Sequence, residues 1–191
     1  MTEEALKKIA SLYSAMDAAY DEVAGRYNVS CGDCDDNCCT QRFYHYTLAE
    51  YLYLLEGVKQ LPAGKRDLIF RRAKVVTESY AHEMAAGEVF KLMCPANFEG
   101  LCSLYEWRPM ICRLHGVPHH FRMPDGTDRT GGGCHRIGEG ALPGMDRTPF
   151  YRTLAEIEKE LREGLNYRQC IKKTTAQMLF DMAFELDIDG M

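Results

Sequence analysis

The sequence predicts a mostly α-helical protein, a single helical domain of about five longer helices wrapped around two cysteine-rich metal-binding loops, with a small β-hairpin in the second loop. Three observations carry this. Apolar residues recur at steps of three and four over five long stretches; helix-start signals open several of them. Eight of the nine cysteines fall in the two stretches that lack this period, 28–46 and 94–147.

The first helix is expected over 2–27, where Leu6, Ile9, Tyr13, Met16, Tyr20 and Val23 share a face, and Thr2, Glu3 and Glu4 suit its N-terminus. The second opens at Thr47, because Thr47-Leu48-Ala49-Glu50 reads as a capping box, and stops before Pro62-Ala63-Gly64. A third, about 65–91, carries Ile69, Ala73, Val76, Tyr80 and Met84. Thr148 as N-cap with Pro149 at the first helical position opens a fourth, with Phe150, Leu154, Ile157, Leu161 and Leu165 inward. The last, about 173–187, buries Met178, Leu179, Met182 and Leu186. The turn residues Pro124-Asp125-Gly126 suggest the hairpin.

With 191 residues, 46% hydrophobic and 27% charged, one domain is the default, and the core is large enough to fold without covalent staples. The chain is read as one domain over 1–191, with a metal-chelating core at about 29–136 and flanking helices at 2–27 and 148–187. The opening MTEEALKKIA lacks a basic segment followed by an apolar one, which predicts a cytoplasmic protein without a secretory leader. No apolar run reaches membrane-spanning length, and a net charge of -5 argues against nucleic acid or an anionic membrane as partner. In a reducing compartment clustered thiols hold metal or do redox chemistry more often than they form structural disulfides.

The first group is Cys31-x-x-Cys34-x-x-x-Cys38-Cys39. A C-x-x-C loop turns two thiolates toward one ion. Adjacent Cys38 and Cys39 are expected to point apart, so that one packs or each serves a different centre. The second group is Cys94, Cys102, Cys112 and Cys134. Cys94-Pro95 is similar to the Cys-Pro that closes many ferredoxin ligand runs. Cys170 stands alone and reads as a packed thiol.

These residues resemble the cysteine-cluster family of the YkgJ type, described as a zinc- or iron-chelating domain. The matching features are the early group ending in Cys38-Cys39, then Cys94-Pro95, Cys102 and the block Tyr105-Glu106-x-Arg108-Pro109-x-x-Cys112-Arg113. The resemblance spans about 29–136. It departs where the family has C-x-x-C-x-x-C-C with a glycine before the pair; this loop is one residue longer and has Asn37 there. Family members are labelled iron-sulfur proteins or oxidoreductases, and a longer relative looks like a flagellin lysine methyltransferase. The resemblance therefore implies cluster binding more firmly than any reaction.

Scattered ligands and thiols in excess of four favour an iron-sulfur cluster, 4Fe-4S first, over zinc. The expected ligand pool is Cys31, Cys34, Cys38, Cys39, Cys94, Cys102, Cys112 and Cys134. Arg108 and Arg113 are expected beside an anionic cluster, supporting it from outside the ligand set; a salt bridge is the plainer reading. Trp107 reads as a packing anchor, and Gly131-Gly132-Gly133 as backbone room for Cys134 to approach the metal. His115, His119, His120 and His135 could complete a mixed site with Cys112 and Cys134, although hydrogen-bonded loop roles fit each one better; His45 and His82 read as packing or surface residues. Asp33, Asp35 and Asp36 read as solvated loop acids.

The expected function is an iron-sulfur protein with a redox or electron-transfer role and a redox or protein partner. The alternatives are a structural zinc-binding interaction module and a cluster-dependent enzyme related to protein lysine methyltransferases.

Overall fold

The computed structural model describes residues 2–28, 38–86, 91–137 and 143–188. Among these the protein is mostly α, with six α-helices and seven strands of two to four residues, numbered here in chain order. The chain forms two compact units, each discontinuous in sequence. The first contains Met1–Asp36 and Met110–Gln169, the second Asn37–Pro109 and Cys170–Met191.

The first unit is built on α1 (Thr2–Arg26), whose face of Ile9, Tyr13, Met16 and Val23 is buried as its periodicity predicts. Leu6 and Tyr20, from the same stripe, are only half-buried. Against α1 pack α4 (Met110–Leu114) and α5 (Thr148–Gly164). The second cysteine-rich stretch holds the hairpin expected of it. Strands β4 (His119–Arg122) and β5 (Asp128–Gly131) form an antiparallel hairpin, and β6 (Met145–Asp146) pairs parallel with β4. The turn lies at Pro124-Asp125-Gly126 as expected: Asp125 Oδ1 accepts from Thr127 N at 2.8 Å and Gly126 takes φ +86.

The start of α5 differs from expectation. Thr148 is its first helical residue and Arg147 the cap, without a capping side chain. Asp146 accepts from Thr148 N at 2.8 Å, which leaves the Thr148 hydroxyl to accept from Arg122 N at 3.0 Å and tie the helix to β4. Leu154, Ile157 and Leu161 are buried, Phe150 is half-buried and Leu165 is exposed beyond the helix end.

The second unit holds β1 (Tyr44–His45), α2 (Leu48–Gln60), α3 (Ala63–Ala86), β2 (Asn97–Phe98), β3 (Leu101–Cys102), β7 (Lys173–Thr174) and α6 (Thr175–Ile188). Thr47 caps α2: its hydroxyl accepts from Glu50 N at 3.1 Å and donates to Glu50 Oε2 at 2.8 Å. Ile69, Ala73, Val76 and Tyr80 of α3 are buried as expected, and the Met84 side chain lies outside the described residues. Helix α3 is described to Ala86, and Lys91, expected at its end, is not helical.

Helix α6 starts two residues later than expected because Lys173 and Thr174 pair with His45 and Tyr44 across β1 and β7. Thr174 and Gln177 exchange bonds reciprocally, Thr174 N to Gln177 Oε1 at 2.8 Å and Gln177 N to Thr174 Oγ1 at 3.2 Å. Helix α6 packs against α3 and α2 around a core that includes Leu54, Val58, Ile69, Leu104, Met178, Leu179 and Met182. Trp107 is the expected anchor: its ring lies against Gly57, where an added Cβ would sit 2.2 Å from Trp107 Cγ, and 4.8 Å from Tyr53. Cys94 and Cys102 pack on this same core, half-buried.

Candidate metal centre

Of the eight thiols expected to bind metal, Cys31 and Cys34 lie outside the described residues, as do Asp33, Asp35 and Asp36. Cys38, Cys39, Cys94 and Cys102 belong to the second unit, and Cys112 and Cys134 to the first.

Within the second unit three segments meet through their backbones. Cys38 and Cys39 occupy a one-turn 3-10 helix, Cys38–Thr40. Cys94 N donates to Cys39 O at 2.9 Å, and Asn97 N donates to Cys94 O at 3.0 Å. Asn97 then stands opposite Cys102 in the β2–β3 hairpin, and Ser103 N donates to Ala96 O at 2.8 Å. The hairpin turns through Glu99 and Gly100, both with positive φ (52 and 87), the backbone of a tight two-residue turn. A chain of main-chain bonds thus links the positions of Cys39, Cys94 and Cys102.

The thiols are also linked electrostatically. Cys39 is lowered to about 6, chiefly because the Cys38 thiol bonds to it; burial opposes this and the Asn97 side chain assists. The adjacent cysteines therefore act on each other. Cys94 is pushed up to about 12, first by burial and then, against the pull of the Ala96 backbone, by Cys102 and Cys39; Arg72 opposes the rise. Charge on Cys94 is opposed by its burial and by Cys102 and Cys39 beside it. A thiophilic cation relieves the repulsion, so the donors suit a metal in chemistry. Among the described residues, no three His, Cys, Asp or Glu side chains already stand as a formed metal site.

Arg72 was not singled out by sequence reasoning, because in Arg71-Arg72-Ala73-Lys74 it reads as part of a solvated helix face. It lies on α3, its Nη1 donates to Asn97 O at 2.7 Å and its guanidinium sits 4.5 Å over the Phe98 ring. Of the arginines expected beside the cluster, Arg108 turns back on its own segment, donating to Tyr105 O at 2.8 Å and stacking on the Tyr105 ring at 3.6 Å. Arg113, in the first unit, is buried with Nη1 2.5 Å from Asp17 Oδ2 and its guanidinium 4.3 Å over Tyr13. The salt bridge is the reading the geometry supports for Arg113, and it ties α4 to α1.

Cys112 is half-buried on α4, and Cys134 N donates to Gly116 O at 3.0 Å. In the glycine run a Cβ on Gly131 would lie 2.4 Å from His119 Cε1 and one on Gly133 2.9 Å from Gly116 O, so these two glycines make room for neighbouring protein groups. His115 and His119 are both held below the ordinary histidine range, first by burial and next by Arg147. His120 and His135 are exposed, as is His82 on α3. His45 is buried, with Nε2 2.9 Å from Thr175 Oγ1 and Nδ1 3.6 Å from Glu50 Oε1, a packing role. Cys170, expected to be packed, is exposed, because it lies in the extended segment after α5 whose neighbours Arg168 and Gln169 are also exposed.

No family model matches the chain, and neither do any curated protein or any solved structure. Among the described residues no helix is long and apolar enough to cross a membrane.

Proposed function

We propose that this chain is an iron-sulfur protein with a redox or electron-transfer role, in a reducing, cytoplasmic setting, and that its cluster is of the 4Fe-4S type. The observation that carries this reading is the backbone linkage of Cys39, Cys94 and Cys102, three thiols from separate segments, with Cys38 acting on Cys39. Cys38, Cys39, Cys94 and Cys102 make four thiols within one compact unit, the number a cubane requires. The resemblance to the YkgJ-type family favours the same centre.

A bound cluster would supply one-electron chemistry. The chain's own contribution is to hold Cys94 and Cys102 on the apolar core of the second unit and to place Arg72 so that its charge offsets that of the Cys94 sulfur. Cys31, Cys34, Cys112 and Cys134 remain in the ligand pool.

Anaerobic purification tests the reading. The expected protein is brown, contains about four irons and four sulfides per centre, and gives an electron paramagnetic resonance signal on reduction. Colourless protein carrying stoichiometric zinc would replace it with the second reading, a structural zinc module. That reading draws on the same four thiols within one compact unit, two of which, Cys94 and Cys102, pack on its core, an arrangement suited to a closed site that stabilises the fold.

A further inference from the structure

Helix α3 carries a local excess of positive charge. Between Lys65 and Lys74 it holds five basic residues and one acid, Asp67, in a chain whose net charge is -5. Lys74 lies 3.9 Å from Glu78, but among the described residues Lys65, Arg66, Arg71 and Arg72 make no ion pair with a carboxylate. Two of these cations converge on the β2–β3 hairpin. Lys65 Nζ lies 4.0 Å and the Arg72 guanidinium 4.5 Å from the centre of the Phe98 ring, and Arg72 also bonds Asn97 O. Glu99 in the hairpin turn offsets one of these two charges at most. Phe98 pairs with Leu101 across the hairpin, and Leu101 is 75% exposed. Leu68 and Val75, which flank Arg72 on the same side of α3, are 39% and 61% exposed. Exposed aliphatic side chains rimmed by charge mark a surface that meets a partner.

We propose that the face formed by Leu68, Val75 and Leu101 with Lys65 and Arg72 is the docking surface for an acidic electron-carrier protein. The carrier's carboxylates meet the two cations, and its apolar centre covers the aliphatic side chains. The inference rests on the redox reading above and deepens it by naming the partner's chemistry and the side from which it approaches. Strand alternation turns Leu101 outward and sets Cys102, the next residue, on the core, so a candidate ligand stands one residue behind the docking face. In the encounter the carrier gives up one electron and the centre gains it, with no bond made or broken. A small face of opposite charge gives fast, weak and salt-dependent association, which suits a carrier that must leave after each transfer. A second copy docked by two-fold symmetry would set this positive face against itself. Nucleic acid would set phosphates against three aliphatic side chains that offer no stacking platform.

The probe is a dye-labelled plant-type 2Fe-2S ferredoxin, a small acidic carrier. Its association with the anaerobic full-length protein is read by fluorescence anisotropy, which needs no cluster in this chain. Binding is expected at about 0.01 M ionic strength and should weaken about tenfold at about 0.15 M, as the Debye length falls from about 30 Å to about 8 Å. Lys65→Glu and Leu101→Asp are each expected to weaken it several-fold at low salt, and Lys159→Glu, in the first unit, to leave it unchanged. Electron transfer from the reduced ferredoxin, followed by stopped flow, should slow in the same two variants. No association, or equal association in all three variants, would overturn the proposal. Tighter binding of polyuridylate than of ferredoxin, or a dimer in sedimentation that Lys65→Glu dissolves, would overturn it in favour of nucleic acid or self-association. Leu101→Asp changes an exposed position and keeps the test decisive should Lys65→Glu fail to fold. If association behaves as expected but the anaerobic protein contains no iron, the redox reading fails while the docking of an acidic protein stands.

Discussion

At the residue scale, the candidate centre turns on which cysteines share an environment. Cys39, Cys94 and Cys102 are linked through main-chain bonds and through mutual repulsion, whereas Cys170 stands exposed. Replacing Cys39, Cys94 or Cys102 singly by Ser is therefore expected to abolish or sharply reduce metal content after anaerobic purification, and Cys170→Ser to leave it unchanged; equal metal in all four variants would remove this group from the ligand set. Histidine supplies a pH effect in the first unit. His115 and His119 have folded-state values below the ordinary 6.5, through burial and then Arg147, with His120 also facing His119, the Val117 carbonyl partly offsetting this, and Asp146 beside His120. The unfolded chain then takes up protons first as pH falls through about 6.5, so their contribution is full above that pH and lost below it. The thermal midpoint is expected to drop between pH 7.5 and 5.5, and to drop less in the His115→Gln, His119→Gln double variant. The pool of thiols was legible in the sequence because it stood out against helical periodicity. The partners Arg72 and Asn97 were not, because neither belongs to any motif and both acquire their roles only through contacts with chain far from them in sequence.

At the scale of elements, the helices expected from apolar spacing exist, and the differences lie at their ends. Local chemistry decided those ends. Asp146 supplies the acceptor expected from Thr148, and Thr174 with Gln177 starts α6 after two residues given to β7. The T-x-x-Q signal at Thr174 was present in the sequence and marks this start better than the apolar period does. Thr174→Ala is expected to cost about 1 kcal/mol of stability in chemical denaturation, as loss of an N-cap does, and Gln177→Ala a similar or smaller amount. A denaturation midpoint unchanged in both would show that the exchange contributes nothing. The strands were mostly missed, since two-residue pairings such as β1 with β7 carry no period that a sequence can display. The β4–β5 hairpin, announced by Pro124-Asp125-Gly126, is the exception.

At the scale of the whole molecule, the chain passes from one unit to the other three times, at residues 36–37, 109–110 and 169–170, so neither unit is a continuous segment. If metal binds only the folded second unit, its removal must destabilise that unit by mass action, with free metal at one hundred times its Kd worth about 2.7 kcal/mol. Anaerobic chelation is expected to lower the unfolding midpoint, restored on adding iron and sulfide or zinc according to the native metal; a midpoint indifferent to chelation would count against a centre that orders this unit. The sequence by itself determined the mostly α character, the buried faces of α1, α3 and α5 and the pool of thiols, because helix periodicity and composition are written in neighbouring residues. Only the tertiary structure decided that Cys39, Cys94 and Cys102 are linked while Cys112 and Cys134 belong to the other unit, and that Arg113 answers Asp17. Ligand sets and ion pairs depend on which distant segments share a core, and that follows from packing, which no local spacing encodes.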